Sequence, residues 1–204
     1  MSALFPMFVK LSGRRCLVVG GGAIAEGKVE SLLACGASVV VVAPEVTGKI
    51  AGWSGERRLV WHARRFQTAD LENAFLVVAA TGVDAVNESV FREAEARGIL
   101  CNAVDEPERC HFYYPAIVRR GPLQIAISTA GLSPALAHRL RVELEQQFGP
   151  EYEAWLQELG AMRRRVFAER DDPRRRARIL QRLASGRSFA RFLRAKKVSS
   201  GGRA

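Results

Sequence analysis

The run Cys16-Leu17-Val18-Val19-Gly20-Gly21-Gly22-Ala23-Ile24-Ala25 constrains the fold of this chain more than any other segment. Four consecutive apolar residues fit a strand buried on both faces, as in a parallel sheet. The pattern Gly20-x-Gly22-x-x-Ala25 then sets a tight turn between that strand and a helix. The first glycine permits the turn, the second lets a pyrophosphate approach the backbone, and the small third residue lets helix and strand pack closely. Phosphates then rest on the helix N–H groups, so Gly20, Gly21 and Gly22 are candidate cofactor contacts. A glycine turn without a ligand is the alternative, and the strand–turn–helix context favours the nucleotide.

The chain repeats this alternation. A helix is predicted over Ala23–Cys35 with Gly36 at its end, followed by strands Ser38–Ala43, Leu59–Ala63, Phe75–Ala80 and Ile99–Ala103. Pro44 stops the second strand, and a helix from Asp84, read as its N-cap, to Arg97 joins the last two. Strands alternating with helices mean an α/β fold with a Rossmann-type, doubly wound parallel sheet. The pattern changes after Asp105. Phe112–Val118 and Leu123–Ser128, joined by Arg119-Arg120-Gly121-Pro122, read as an antiparallel hairpin. Ser133-Pro134 opens a helix carrying Leu136, Leu140, Leu144 and Phe148, which Gly149-Pro150 ends. Beyond it lie a stripe of Tyr152, Trp155, Leu156, Leu159, Met162 and Val166, a restart at Asp172-Pro173, and a last helix with Phe189, Phe192 and Leu193. The tail Ser199-Ser200-Gly201-Gly202 is expected to fray. These readings give a dinucleotide-binding domain over 1–110, a strand-plus-helix region over 111–149 and an all-helical domain over 150–204.

Charge is distributed unevenly along this layout. The 204 residues hold 31 Lys and Arg against 21 Asp and Glu, a net +10. From position 150 onward there are 15 basic and 6 acidic residues, whereas 1–149 carry 16 and 15. A basic helical end admits a nucleic-acid partner, so an NAD-binding, redox-sensing regulator stands as the alternative to an enzyme. Runs such as Arg163-Arg164-Arg165 and Arg174-Arg175-Arg176 also occur on ordinary solvated helices. No apolar run approaches the roughly 18 residues of a membrane span, and the first ten residues make a poor signal peptide. Cys16, Cys35, Cys101 and Cys110 show neither a CxxC pair nor zinc spacing. Free thiols in a reducing cytoplasm are expected, with no metal site and no membrane association.

Further candidates lie at the strand ends. Glu45, after Ala43-Pro44, follows Gly22 by 23 positions and suits the ribose hydroxyls; without an arginine beside it, NAD is favoured over NADP. Its alternative role is a cap for the next short helix. Thr81 and Gly82 sit where such folds bring backbone to the cofactor. Asp105 follows the fifth strand and is a candidate general acid or base, or alternatively a turn former. His111 is a candidate proton carrier.

Linked motifs here resemble precorrin-2 dehydrogenase, which also forms the N-terminal part of siroheme synthases. They are Phe5-Pro6-Met7-Phe8; Val19-Gly20-Gly21-Gly22 with Ala25 and Lys28; Ala79-Ala80-Thr81 with Asn87; Asn102-x-x-Asp105-x-Pro107; Phe112 with Pro115-Ala116; and Arg120-Gly121-x-Leu123. The most specific is Ile125-Ala126-Ile127-Ser128-Thr129-x-Gly131-x-Ser133-Pro134-x-Leu136-Ala137 with Arg141. The resemblance implies NAD-dependent oxidation of precorrin-2 to sirohydrochlorin, and in some members insertion of ferrous iron. It also implies a homodimer built through the 111–149 region, NAD contacts at Ala23, Ile24, Pro44 and Glu45, a catalytic role for Asp105 and Ser128 near the tetrapyrrole; Asn102 and His111 are read as candidates on the same substrate side. Gly27 and Gly82-Val83 depart from the residues common in that family.

Overall fold

The computed structural model describes residues 4–169 and 172–201, which fall into two units, one ending at Tyr114 and one beginning at Pro115. The first is built on five parallel strands: β1 (Arg15–Val19), β2 (Ser38–Val42), β3 (Val60–His62), β4 (Leu76–Ala79) and β5 (Leu100–Ala103). Their order is β3-β2-β1-β4-β5, so the winding reverses between β1 and β4. Helices α1 (Ala23–Ala34), α2 (Gly48–Gly55) and α3 (Asp84–Ala96) cover the sheet.

Side chains alternate across the strands, which divides the core into two layers. Cys16 and Val18 of β1 pack with Ala25, Val29 and Leu32 of α1 and Ile50 of α2. Leu17 and Val19 pack with Val77 and Ala79 of β4 and Val90 and Ala94 of α3. Gly36 ends α1 with φ +73°, the left-handed position a glycine tolerates, while the N–H of Ala37 reaches back to the Leu32 carbonyl at 3.1 Å. The buried Asp70 anchors the crossing between β3 and β4, its carboxylate accepting from Arg64 Nη1 at 2.8 Å and from the Gln67 N–H at 2.9 Å.

Several boundaries differ from expectation. Asp84 is the first residue of α3 and not its cap; Val83 holds that position, with no side-chain cap bond. The short helix after Glu45, for which no bounds are predicted, is α2; Thr47 caps it, Oγ1 accepting from the Ile50 N–H at 3.4 Å. The cap role that competed for Glu45 is therefore taken by Thr47.

The second unit opens with the expected hairpin, shifted in frame: β6 is Ala116–Arg120 and β7 is Leu123–Ile127. Phe112 and Tyr114 leave strand geometry to pack on the α1 side of the first unit's sheet, and Arg119 and Arg120 continue the strand. Ser133 caps α4 (Pro134–Gln147), accepting from the Leu136 N–H at 3.2 Å. The buried face of α4 centres on Ala137, leaving Leu136 exposed, so the predicted leucine stack is rotated. Arg120 closes the far end of α4, donating from Nε to the Phe148 carbonyl at 2.7 Å and from Nη2 to that of Glu145 at 2.9 Å. Helices α5 (Glu151–Ala168), α6 (Pro173–Leu183) and α7 (Gly186–Gly201) follow. Tyr152, Trp155 and Phe189 meet ring to ring at 4.5–5.8 Å. The α7 backbone stays helical through Ser199, Ser200 and Gly201, contrary to the expected fraying, and Gly202 lies outside the described residues.

Candidate functional site

Four turns gather at the carboxyl ends of β1, β2, β4 and β5. Backbone bonds that extend the ladders hold them: Gly20 N–H to Val42 O (3.0 Å), Ala80 N–H to Val19 O (2.8 Å), Thr47 N–H to Gly21 O (2.9 Å) and Val104 N–H to Ala79 O (2.9 Å). Each of the three glycines here has a different neighbourhood. A Cβ on Gly20 would lie 2.2 Å from the Ala80 carbonyl oxygen, at a backbone φ of +122°. One on Gly21 would lie 2.1 Å from the Glu45 carbonyl oxygen. Nothing lies within 4 Å of a Cβ on Gly22, the N-cap of α1, which offers no side-chain cap to the helix. The first two glycines thus serve the packing of turns, while the third leaves an open approach to the uncapped first turn of α1. This arrangement fits a dinucleotide pyrophosphate.

The other predicted cofactor residues share this edge. Ala23, Ile24, Pro44, Glu45 and Gly82 are exposed, and Thr81 is half-buried. Lys49 pairs with Glu26 at 2.9 Å across α1 and α2. Hydrogen bonds from Thr47 and then Lys49 hold the Glu26 carboxyl below the usual range.

Asp105 follows β5, exposed, with φ +63°, a left-handed conformation that an aspartate tolerates. The chain then turns back along the outer edge of β5. Asn102 and Cys110 form an antiparallel bridge, and the His111 N–H donates to the Cys101 carbonyl at 2.8 Å. Asn102 is buried, its amide nitrogen donating to the Phe112 carbonyl at 2.9 Å and to Cys110 Sγ at 3.3 Å, so it braces the returning segment. His111 Nδ1 accepts from the Cys101 N–H at 3.0 Å, which in the neutral ring leaves the proton on Nε2 as a donor. Its ring packs 5.2 Å from that of Phe91. Ser128 lies in the second unit, just after β7, where its hydroxyl accepts from the Ala130 N–H at 3.1 Å.

Lys28 lies within electrostatic reach of Asp105. It lies one helical turn beyond Ala25, and its ammonium sits 3.7 Å above the Tyr114 ring. Burial pulls its pKa down, opposed by the charges of Asp105 and Cys110. Burial also raises the thiols: Cys101 to about 12 and Cys16 to about 11. All four cysteines are free. Among the described residues, no three His, Cys, Asp or Glu side chains cluster as a metal site, and no helix is long and apolar enough to cross a membrane.

A parallel sheet whose switch point carries this glycine turn defines a dinucleotide-binding protein of the Rossmann class. Residues 7–116 match the family described as "Putative NAD(P)-binding", and 120–147 match "Sirohaem biosynthesis protein central". The chain belongs to the family of precorrin-2 dehydrogenases. It is 37% identical to a siroheme synthase of Mannheimia succiniciproducens over 96% of its own length and 41% of that relative's. A siroheme synthase of Methylobacillus flagellatus is 49% identical over 69% of this chain and 30% of that relative. The chain thus spans less than half the length of these two relatives. Among solved structures, SirC, a precorrin-2 dehydrogenase, superposes with a TM-score of 0.78 at 30% identity, covering 90% of each chain.

Proposed function

We propose that this protein oxidises precorrin-2 to sirohydrochlorin with NAD. The observation that carries the reading is an exposed carboxylate, Asp105, at the carboxyl end of β5, on the same end of the sheet as the dinucleotide turn after β1. Gly20, Gly21, Gly22, Ala23 and Ile24 form the pyrophosphate turn, Pro44 and Glu45 meet the ribose, and Thr81 and Gly82 bring backbone to the cofactor. When bound, the nicotinamide supplies the acceptor for the hydride removed from the substrate. The oxidation also releases a proton, which Asp105 takes. His111 offers Nε2–H to a substrate carboxylate and Asn102 braces the turn, while the family resemblance gives Ser128 a role near the tetrapyrrole. The match to SirC supports this chemistry, and the resemblance adds a homodimer, a cytoplasmic location and ferrous iron as a further substrate. The similarity to SirC and to the siroheme synthases favours the enzyme over the nucleic-acid regulator.

Anaerobic conversion of precorrin-2 with NAD tests the reading. Asp105→Asn suits this test because asparagine keeps the left-handed turn while losing the base. NAD binding is expected to persist and turnover to fall about 100-fold or more. Parental turnover in that variant removes the role of Asp105, and failure of the parent to convert precorrin-2 removes the function. Adding sirohydrochlorin and Fe²⁺ without NAD, and recording siroheme absorbance, tests the iron insertion. Analytical ultracentrifugation tests the dimer.

A further inference from the structure

We infer that Asn87 and Glu106 are positioning residues that tie the backbone of Asp105 to the Thr81 turn. The inference rests on the reading of Asp105 as the group that takes the proton. Asn87 is buried in the first turn of α3, at 4% exposure. Its Oδ1 accepts from the Thr81 N–H at 3.3 Å and from Thr81 Oγ1 at 2.6 Å. Its Nδ2 donates to the Thr81 carbonyl at 3.3 Å and to Glu106 Oε1 at 3.3 Å. The amide therefore spends both its acceptor and donor capacity on two turns at once.

Glu106 is the residue after Asp105, and Arg109 grips its other carboxylate oxygen. Arg109 also donates to Asp84 at 2.7 Å and stands 3.8 Å from Glu88, so α3 holds the far side of the clamp. The Glu106 N–H closes the turn on the Ala103 carbonyl at 3.3 Å. Asp105, with φ +63°, sits inside this closed turn, and its backbone cannot move without breaking bonds to Glu106. Thr81 belongs to the cofactor edge, so seating the dinucleotide and placing the carboxylate become one event. A carboxylate misplaced by about 1 Å loses about 100-fold in rate, which is what such a clamp prevents.

Three variants of the full chain test this. Asn87→Asp keeps shape and the acceptor toward the Thr81 N–H and hydroxyl but sets an oxygen against both Glu106 and the Thr81 carbonyl; kcat is expected to fall about 100-fold. The double variant Asn87→Asp/Glu106→Gln moves the donor to position 106, restoring that bond but not the one to the Thr81 carbonyl, and is expected to recover about 10-fold of that loss, a rescue that general destabilisation does not give. On the Asp105→Asn background, Asn87→Ala is expected to lower kcat no further, because no base remains to misplace. Should Asn87→Ala fail to fold, the rescue pair carries the test alone. Parental kcat in Asn87→Asp, absence of rescue, or fully additive losses overturn the inference. Full activity of Asp105→Asn by itself removes the underlying reading, an outcome distinct from all of these.

Discussion

Substituting alanine at Gly20 and at Gly22 separates what the glycine turn does for folding from what it does for binding. At Gly20 the new methyl would stand 2.2 Å from the Ala80 carbonyl oxygen and 2.6 Å from its carbon, both backbone atoms that cannot rotate away. The backbone φ of +122° is also closed to an L-residue. Strain of this kind costs about 1–3 kcal/mol and overpacking about as much again, so a loss of about 3 kcal/mol is expected. For a chain of this size that lowers Tm by about 6–12 °C. At Gly22, φ is −79° and ψ −175°, ordinary extended backbone, with no atom near the added methyl. Replacing glycine by alanine at an N-cap costs about 0.5 kcal/mol, so Tm moves by about 2 °C or less. The methyl does, however, occupy the approach of the pyrophosphate. A lost charge-assisted hydrogen bond is worth about 1.5–3 kcal/mol, or about 10–150-fold in Kd. Thermal melts and NAD titrations by calorimetry read both quantities. Parental NAD affinity in Gly22→Ala, or a parental Tm in Gly20→Ala, refutes the division of labour.

Gly27 faces open space in the middle of α1, so Gly27→Ala is expected to stabilise the chain by about 0.5–1 kcal/mol, read as a higher Tm. Hydrogen bonds from Arg64 hold the Asp70 carboxyl below its ordinary value. A carboxyl lowered in the folded state contributes stability above its unfolded pKa of about 4, and that contribution fades as pH falls further. Asp70→Asn should flatten this acid limb in denaturation curves taken at successive pH values. Thiol titration of the native protein should label exposed Cys35 first, and buried Cys16 and Cys101 only on unfolding. Rapid native labelling of Cys101 contradicts the packing described.

The parallel sheet is legible in the chain because Leu17 to Val19, Val39 to Val42 and Val77 to Ala79 are unbroken apolar runs, each followed by a turn signal. The bounds of α2 are not, since Gly48, Gly52 and Gly55 dilute its helical pattern and its burial rests on Ile50. The hairpin frame moved because Phe112 and Tyr114 gain more by packing on the α1 face than by pairing, a tertiary preference with no local trace. The cofactor turn was visible as spacing, because a glycine's purpose is local. Asn102 and His111 were visible only as residue types; their partners, the Phe112 carbonyl and the Cys101 N–H, come from the folded-back segment. Lys28 and Asn87 stood within quoted motifs, yet their roles depend on Tyr114 and Glu106, which lie 86 and 19 positions further along.

The segment that returns along β5 also bears on how the protein behaves in a crowded solution. A five-stranded open sheet has two edges, and an unpaired edge is a template for intermolecular strand addition. One edge here is β3, only three residues long and so a poor template. The other is β5, whose backbone is engaged by Cys110 and His111. The turn bearing Asp105 leads directly into that covering segment. Loosening it would bare a strand, so the bonds that keep the carboxylate in place also keep one molecule from adding to the next.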